Sequence, residues 1–351
     1  MKFLVLANGP GEAWGWARPL CGALQKRGHD LVIACLPCPF SSGREARALR
    51  ALGFEVEDLG DLGPLRAAKK LKALSRGFGA QWTLQLGGDL MFGRLAKGKG
   101  KLACYSYGPK KGMSSCDLLL APRENSWGAE VVGDLTRESL SDEEPLTWNA
   151  PQGKRFLLLP GSRPAIRNLA LKLMAPLAAW AAEVGGQWRV PLSPFCDQGE
   201  VEEWRKAGFD AYAADLGACT AGATAALTQP GTNTLQLMER GVPMIVAAPL
   251  DFAAHIPLTG LKGLVPVWAK RPLIKALMAR RKGFLAWPNR LAGFELCPEY
   301  VGDVSPRFLA QAMGQFVAQG EKLTQISEQL LLLAQATPPA SERIIELLEG
   351  R

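Results

Sequence analysis

Short apolar runs alternate with segments of helical length along most of the chain. In the first half, runs that are apolar almost throughout predict strands at residues 3–7, 31–36, 83–86, 102–107, 117–121 and 131–133. Helices are predicted between them at residues 14–27, 43–52 and 64–76. Continuously apolar strands are typical of a sheet covered on both faces, and their alternation with helices is typical of parallel α/β sheets. The pattern therefore predicts a parallel sheet wrapped by helices.

The alternation stops at a polar, proline-punctuated segment, residues 134–154, and starts again at Phe156. The second series predicts strands at 156–159, 188–192, 223–228 and 244–248, and helices at 165–183, 200–207 and 233–240. Helical periodicity follows at 306–334 and 341–348, and 351 residues suffice for two cores. We therefore predict a domain at 1–140, a linker at 141–154, a second domain at 155–304 and terminal helices at 305–351. Those helices either pack back on the first domain or exchange with a second subunit, so a monomer and a homodimer both stay open.

The chain is basic, with 41 Lys and Arg against 33 Asp and Glu. Such a surface suits nucleic acid, anionic lipid or a phosphorylated substrate, and charge alone does not choose among them. Nucleic acid is disfavoured because no aromatic and basic platform accompanies the charge. No apolar run reaches the ~20 residues that span a bilayer, so any membrane contact is expected to be peripheral. The first residues resemble a strand rather than a signal peptide, which favours a cytoplasmic protein.

Basic residues cluster in the first half of the chain. They are Lys97, Lys99, Lys101, Lys110 and Lys111, with Arg66, Lys69, Lys70 and Lys72 nearby in sequence. A solvated surface is one interpretation, and docking onto anionic lipid is the other.

The eight cysteines are scattered and include one Cys-x-x-Cys pair, Cys35 and Cys38. No second pair completes a four-cysteine zinc site, and the chain has only two histidines, His29 and His255. We therefore expect no metal site. Free thiols in a reducing compartment are the simplest interpretation, with a redox role for the pair as the alternative.

Three glycine-containing turns follow directly after predicted strands, where open α/β sheets bind ligands. They are Asn8-Gly9-Pro10-Gly11-Glu12-Ala13-Trp14-Gly15, Pro160-Gly161-Ser162-Arg163 and Pro230-Gly231-Thr232-Asn233-Thr234. Each offers backbone N–H groups to an anion, although each also fits a plain turn or an N-cap. A fourth segment, 287–299, mixes aromatic, basic and acidic residues in a loop. The first turn lacks the third glycine of a dinucleotide fingerprint, which disfavours a two-domain dehydrogenase.

Together these four segments resemble lipid-A-disaccharide synthases. The matching stretches are Gly11-Glu12-Ala13-x-Gly15, Leu158-Leu159-Pro160-Gly161-Ser162-Arg163, Gly231-Thr232-x-Thr234-Leu235 and Pro288-Asn289-x-Leu291-Ala292-Gly293-x-Glu295. They occur in the family's order and span nearly the whole chain. The resemblance implies a GT-B fold, in which two Rossmann-like parallel-sheet domains face a central cleft.

The same resemblance implies an inverting transfer of an acylated amino sugar from a UDP-sugar donor to a lipid-linked sugar acceptor, without a cofactor. In the family this acceptor is an acylated glucosamine phosphate. The resemblance places the substrate at Gly11, Gly15, Gly161, Ser162, Arg163, Gly231, Thr232, Asn233, Thr234, Gln236, Asn289, Gly293 and Glu295. Among these, Ser162, Arg163, Thr232 and Asn233 are expected near the diphosphate.

The first half departs from the family's pattern. Trp14 and Trp16 replace a serine and an acidic residue, and Asp134 stands where a Gly-His-Pro segment carries its histidine. Residues 105–111 replace a tryptophan-rich segment, and Gln236 replaces a glutamate. These departures indicate a different acceptor or loss of the usual reaction.

Inverting transfer needs a base near the acceptor hydroxyl. The sequence offers Asp89 and Glu12, and Asp89 is favoured for its place after a predicted strand, although an aspartate there also fits a helix N-cap. Another UDP-sugar glycosyltransferase, a nucleotide-sugar epimerase and a non-catalytic binding protein stay open as alternatives.

Overall fold

The computed structural model describes residues 1–39, 41–140, 144–149, 153–255, 267–281, 283–336 and 338–351. The chain forms two compact units, each built around one parallel sheet. The first unit comprises Met1–Ser139 and Thr337–Arg351, and the second comprises Leu140–Ala336.

The first unit contains a seven-stranded sheet. Its strands are β1 Lys2–Ala7, β2 Asp30–Cys35, β3 Val56–Asp58, β4 Trp82–Leu86, β5 Lys101–Tyr105, β6 Leu118–Ala121 and β7 Glu130–Val131. Its helices are α1 Pro10–Glu12, α2 Arg18–Lys26, α3 Glu45–Ala51, α4 Pro64–Phe78 and α5 Leu90–Ala96, with a π-helical turn at Ala13–Ala17. The strand order is β3-β2-β1-β4-β5-β6-β7, and every pair is parallel. The order reverses between β1 and β4.

The second unit contains a six-stranded sheet. Its strands are β8 Lys154–Leu159, β9 Gly186–Leu192, β10 Asp210–Ala213, β11 Ala225–Thr228, β12 Met244–Pro249 and β13 Glu299–Gly302. Its helices are α6 Pro164–Met174, α7 Pro176–Glu183, α8 Gln198–Lys206, α9 Leu216–Thr220, α10 Thr232–Glu239, α11 Val267–Ala279, α12 Trp287–Ala292, α13 Pro306–Val317 and α14 Glu321–Gln335. The order β10-β9-β8-β11-β12-β13 is again all parallel and reverses between β8 and β11.

The last helix, α15 Ser341–Glu349, belongs to the first unit. Its Ile344, Ile345 and Leu348 are fully buried in the same apolar cluster as Phe3 and Val5 of β1. The other face of β1 packs against α4 in a second cluster. Burial of both strand faces explains why the strands are apolar almost throughout. The two parallel sheets confirm the prediction of two parallel-sheet α/β domains.

Several elements differ from the predicted ones. Strands β3, β10 and β13 escaped prediction because they have only three or four residues, several of them polar. The predicted helix at 165–183 is two helices, with Pro176 opening the second, since proline is accepted in a first turn but not inside a helix. The predicted helix at 306–334 also divides, at Gly320, whose φ of +46° leaves the helical region.

The first part of the segment between the two sheets, residues 135–139, packs as part of the first unit. Leu135–Ser139 forms a 3₁₀ turn with Leu135 and Ser139 fully buried. A carboxylate oxygen of Glu138 accepts the Ser341 N–H at 2.8 Å, so this turn caps the start of α15. Residues 141–143 and 150–152 of the predicted linker lie outside the described residues.

Candidate functional site

Each sheet has a point where the strand order reverses, and ligands of open α/β sheets bind there, beyond the carboxyl ends of the strands. In the first unit this point lies between β1 and β4, and in the second between β8 and β11. Most of the residues that the sequence singled out follow one of these four strands.

In the second unit, the loop after β8 touches the loop after β11 through Gln229. Its amide nitrogen donates to the Pro160 carbonyl at 2.6 Å. Gly161 has a φ of +93°, and a Cβ at that position would lie 3.3 Å from the Gln229 oxygen. A side chain larger than hydrogen would therefore be strained and crowded there. Gln229 joins two loops that the sequence analysis treated separately.

A buried ion pair supports the loop after β8. Arg167 is fully buried, donates to both carboxylate oxygens of Glu200 and also donates to the Ser162 carbonyl. Arg163 is the half-buried residue before α6, in extended conformation with Pro164 at the first helical position. The Arg167–Glu200 ion pair, which sequence analysis did not identify, thus holds the loop that carries Ser162 and Arg163 through the Ser162 carbonyl.

The loop after β11 leads into the N-terminus of α10. Gly231 precedes the helix with a φ of +150°, and no side chain caps it. Thr232 and Asn233 are half-buried in its first turn, and Gln236 lies one turn further on. Uncapped N–H groups and the helix dipole favour an anion at such an end.

Thr234 has a supporting place in this loop. It is fully buried, its hydroxyl donates to the Gly231 carbonyl at 2.8 Å, and the hydroxyl oxygen accepts the Trp287 N–H at 3.3 Å. The side chain therefore ties α10 to the start of α12, and both hydroxyl functions are engaged within the protein.

The segment from α12 to β13 is held together by Asn289. Its amide nitrogen donates to the Cys297 carbonyl and to Glu299, at 2.7 and 2.9 Å, and its oxygen accepts the N–H groups of Leu296 and Cys297. Every hydrogen-bonding function of this buried amide is used internally. Asn289 thus shapes the loop that follows α12.

The residues around Asn289 complete this loop. Glu299 accepts the N–H groups of Leu285 and Ala286. Gly293 ends α12 in the left-handed conformation, with a φ of +78°, and Glu295 is exposed beyond it. Gly293 and Glu295 are therefore the two members of the predicted set from this segment that reach the surface.

In the first unit, Glu12 lies at the reversal point. A Cβ on Gly87, after β4, would lie 3.2 Å from one carboxylate oxygen of Glu12, and a Cβ on Gly9, after β1, would lie 3.5 Å from the other. The carboxylate therefore stands between the ends of β1 and β4. Gly11 is half-buried in the same short helix, and Gly15 follows in the π-helical turn, where a Cβ would meet no neighbour.

Three further residues, Asn8, Gly88 and Lys110, border this point. Gly88 has a φ of +62°, and a Cβ there would lie 2.5 Å from the Asn8 side chain, whose buried oxygen accepts no hydrogen bond from the described residues. The Lys110 ammonium donates to the Gly88 carbonyl at 2.9 Å.

Asp89 is the N-cap of α5. It is exposed, and one of its carboxylate oxygens accepts the Met91 N–H at 2.9 Å. This is the alternative that the sequence left open for it.

Several of the first-half residues that depart from the family's pattern pack together. The Trp16 ring stacks on Tyr107, with centroids 5.3 Å apart, and meets Tyr105 edge-on. The Tyr107 hydroxyl donates to Asp134, and Thr136 accepts from the Trp16 indole at 3.1 Å. Burial, followed by the neighbouring Asp134 carboxylate, raises the pKa of Tyr107 well above 10. These side chains form a closed aromatic and polar cluster beside the ends of β4 and β5.

A cavity of about 340 Å³ lies beyond the ends of β1, β2 and β3. Its walls include Asn8, Gly9, Cys38, Asp58 and Asp61, together with Ser41, Ser42 and Glu45. The second unit has a much smaller space, about 10 Å³, between the ends of β8 and β11.

The Cys-x-x-Cys pair borders this cavity. Neither cysteine forms a disulfide bond, and burial, followed by the nearby Asp58, raises the pKa of Cys35 to about 12. A thiol with so high a pKa is a poor nucleophile near neutral pH, which disfavours Cys35 as the attacking thiol of a redox pair. Among the described residues, no group of three or more side chains is arranged to hold a metal ion.

The basic cluster divides into internal and exposed members. Lys97 pairs with Asp117 at 2.7 Å, and Lys101 donates to the Arg351 carbonyl. Helix α4 carries Arg66, Lys69, Lys70, Lys72 and Arg76, has no acidic residue, and leaves Leu65 88% exposed. No helix in the described part of the chain is long and apolar enough to cross a membrane.

No family model matches the chain, and no curated protein matches its sequence at a significant level. Solved structures of similar fold are numerous. MurG from Acinetobacter baumannii is 14% identical, with complete coverage of both chains and a TM-score of 0.59. The UDP-GlcNAc 2-epimerase from Neisseria meningitidis, bound to UDP-GlcNAc, is 12% identical, again with complete coverage, at a TM-score of 0.60.

The glycosyltransferase VinC, in complex with dTDP, is 14% identical over 99% of each chain, with a TM-score of 0.60. Identities this low establish the architecture alone. The two parallel-sheet units have strand orders of 3-2-1-4-5-6-7 and 3-2-1-4-5-6, counted within each unit, and they give this chain the GT-B fold.

Proposed function

We propose that this protein is an inverting glycosyltransferase that moves an amino sugar from a UDP-sugar to a lipid-linked sugar acceptor. The observation that carries the proposal is the pair of loops after β8 and β11, joined by Gln229 at the reversal point of the second sheet. The resemblance to lipid-A-disaccharide synthases supports the donor and acceptor classes. The structural likeness to proteins bound to UDP-GlcNAc and dTDP supports a nucleotide-sugar donor.

The donor's diphosphate is assigned to the second unit. The uncapped start of α10 offers N–H groups from Thr232 and Asn233, and Arg163 stands at the start of α6. A guanidinium and a helix N-terminus both stabilise the charge that grows on the diphosphate as UDP departs. In this scheme Thr234, Asn289 and the Arg167–Glu200 pair hold the loops in shape and do not touch the substrate.

Glu12 is the base that the first unit favours. Its carboxylate lies between the ends of β1 and β4, at the reversal point of the sheet, whereas Asp89 lies exposed at the start of α5. In the proposed step the acceptor hydroxyl oxygen forms a bond to the anomeric carbon while the bond from that carbon to the UDP oxygen breaks. The hydroxyl proton passes to Glu12, and UDP leaves. One displacement of this kind inverts the anomeric centre.

Helix α4 supports a lipid-linked acceptor. It carries five basic residues and no acidic residue, and one of the five, Lys70, is paired with Glu57 of β3. The leucine beside them, Leu65, is 88% exposed. Each basic residue near an anionic bilayer contributes about 1 kcal/mol. We expect the protein to sediment with vesicles of phosphatidylglycerol and phosphatidylcholine but not with phosphatidylcholine alone. K69E/K72E should abolish this sedimentation, and K26E, an exposed lysine on α2, should leave it unchanged.

A nucleotide-sugar 2-epimerase is the second candidate, since epimerases share the architecture at full coverage. The two activities give different products from UDP-GlcNAc. An epimerase changes the sugar without an acceptor, and a transferase releases UDP only when an acceptor is present. Chromatography of the nucleotide products, with and without acceptor, separates the two.

Calorimetric titration with UDP tests the donor site, with and without magnesium. We expect micromolar binding that magnesium does not change, weakened at least about tenfold by Arg163→Ala because a charged hydrogen bond is lost. Thr232→Ala should also weaken it, whereas Arg280→Ala, an exposed arginine after α11, should not. Absence of UDP binding by the wild-type protein would remove the proposal.

Turnover of the same variants tests the base. Glu12→Gln should abolish sugar transfer and spare UDP binding, while Asp89→Asn should retain most of the activity. The reverse result, with Asp89→Asn inactive and Glu12→Gln active, would reassign the base to Asp89. If both variants bind UDP and neither the variants nor the wild-type protein transfers sugar, the chain is a binding protein.

A further inference from the structure

The cavity beyond β1, β2 and β3 has no role in the scheme above. Its volume of about 340 Å³ lies within the range of small-ligand sites and is sufficient for a sugar ring. It opens at the carboxyl ends of parallel strands, which is the edge of an open α/β sheet where ligands bind.

The walls of the cavity are polar and acidic. Asp58, Asp61 and Glu45 line it, and none of its described lining residues is lysine or arginine. Glu45 is only 4% exposed and is held by hydrogen bonds from the Ser41 hydroxyl at 2.7 Å and the Ser42 N–H at 2.6 Å. Asp58 accepts the Gly60 N–H at 3.0 Å, and Asp61 is exposed at the rim.

This charge distribution selects against anions. A phosphate placed among three carboxylates meets like charge on several sides, while sugar hydroxyls find carboxylate acceptors. Acidic lining of this kind suits a neutral, hydroxyl-rich group or an amine.

The cavity also borders the proposed base. A Cβ on Gly9, in the cavity wall, would lie 3.5 Å from a Glu12 carboxylate oxygen and 3.3 Å from the Cys38 sulfur. On the other side of Glu12, the Trp16 ring lies so close to Gly87 that a Cβ added there would be 3.0 Å from it. The same ring stacks on Tyr107. The aromatic cluster thus occupies the β4 and β5 side of the reversal point and leaves the β1 to β3 side open.

We infer that this cavity is the acceptor subsite, and that it takes a hydroxyl-rich sugar without a phosphate group. The inference rests on the proposed transferase function and narrows its acceptor. The inferred acceptor differs from the sugar phosphate that the family resemblance implies. Trp16, which replaces the family's acidic residue, fills the β4 and β5 side of the reversal point and so leaves the β1 to β3 side for the acceptor.

Ligand-observed NMR on the full chain tests the inference with two probes, octyl β-glucoside and glucosamine 1-phosphate. We expect the wild-type protein to bind the neutral glycoside at least about tenfold more tightly than the phosphate, given repulsion by carboxylates across a partly screened distance. Asp61→Lys removes a rim carboxylate and adds a positive charge, so it should reduce this preference about tenfold. Glu55→Lys is the matched control, because Glu55 is an exposed acid just before β3 that does not line the cavity, and it should leave the preference unchanged.

Equal or tighter binding of glucosamine 1-phosphate by the wild-type protein would overturn the inference. So would a preference that Asp61→Lys and Glu55→Lys alter equally, because the effect would then come from net charge. Calorimetric UDP binding, measured on the same samples, reports the donor site separately. Intact UDP binding with no neutral-sugar binding refutes the acceptor subsite alone, and loss of UDP binding in the wild-type protein refutes the proposed function.

Discussion

Replacing Arg167 by methionine should destabilise the second unit and weaken UDP binding together. The guanidinium is fully buried, and the Glu200 side chain is only 11% exposed. Methionine has similar length but no charge, so it leaves the Glu200 carboxylate desolvated and the Ser162 carbonyl without its donor. Removing one partner of such a buried pair costs about 3 kcal/mol or more.

For a unit of this size, that loss corresponds to a drop of roughly 6–12 °C in its unfolding midpoint. The loop carrying Ser162 and Arg163 loses its support, so UDP affinity should fall about tenfold, the effect of losing about one charged hydrogen bond. Calorimetry provides both quantities on one preparation. Arg343→Met, which breaks an exposed pair with Glu346 whose partners are 54% and 53% exposed, is the control and should cost well under 1 kcal/mol.

The double variant R167M/E200L decides whether the ion pair is the cause. Replacing both partners by apolar side chains removes the unpaired carboxylate, so the double variant should be more stable than Arg167→Met alone. UDP affinity should stay low in the double variant, because the Ser162 carbonyl still lacks its donor. The reasoning would be refuted if the double variant lost as much unfolding free energy as Arg167→Met and Glu200→Leu lose in sum. A loss below about 1 kcal/mol in Arg167→Met alone would also refute it.

Three further predictions concern the first unit. Burial raises the pKa of Tyr105 and Tyr107 well above 10. Their contribution to stability is therefore complete below about pH 10 and lost as the pH rises further, because the unfolded state then ionises first. Absorbance of phenolate should rise for these tyrosines only with unfolding, and four tyrosines titrating near pH 10 in a folded protein would contradict this. Cys35, with its pKa raised to about 12, should resist a thiol reagent at pH 8 until the protein is denatured, and rapid labelling of that residue in the native protein would disprove its burial. Gly88→Ala should lower the free energy of unfolding by at least about 1 kcal/mol, because a Cβ there combines a positive φ with a 2.5 Å approach to Asn8. Chemical denaturation measures this loss, and an unchanged midpoint would show that Asn8 moves aside freely.

The sequence predicted the two sheets well because their signal is local. A strand buried on both faces must be apolar over its buried residues, as residues 3–7 of β1 and 156–159 of β8 are. A helix must follow before the next parallel strand. The glycines at the strand ends were also visible, and Gly161 and Gly231 do adopt positive φ values. Short strands such as β3 and β13 carry too few apolar residues to be seen without the neighbours that they pair with.

The roles of individual polar residues depended on contacts between distant parts of the chain. Arg167 contacts Glu200 33 residues away, and Gln229 donates to the Pro160 carbonyl 69 residues away. As base candidates, the sequence favours Asp89 over Glu12, but Asp89 caps a helix and Glu12 lies between two strand ends. The architecture could be predicted from the sequence, because each segment carries its own pattern of buried apolar residues. Which polar groups bond within the protein and which reach its surface could not, because hydrogen-bond partners are set by packing and not by spacing along the chain.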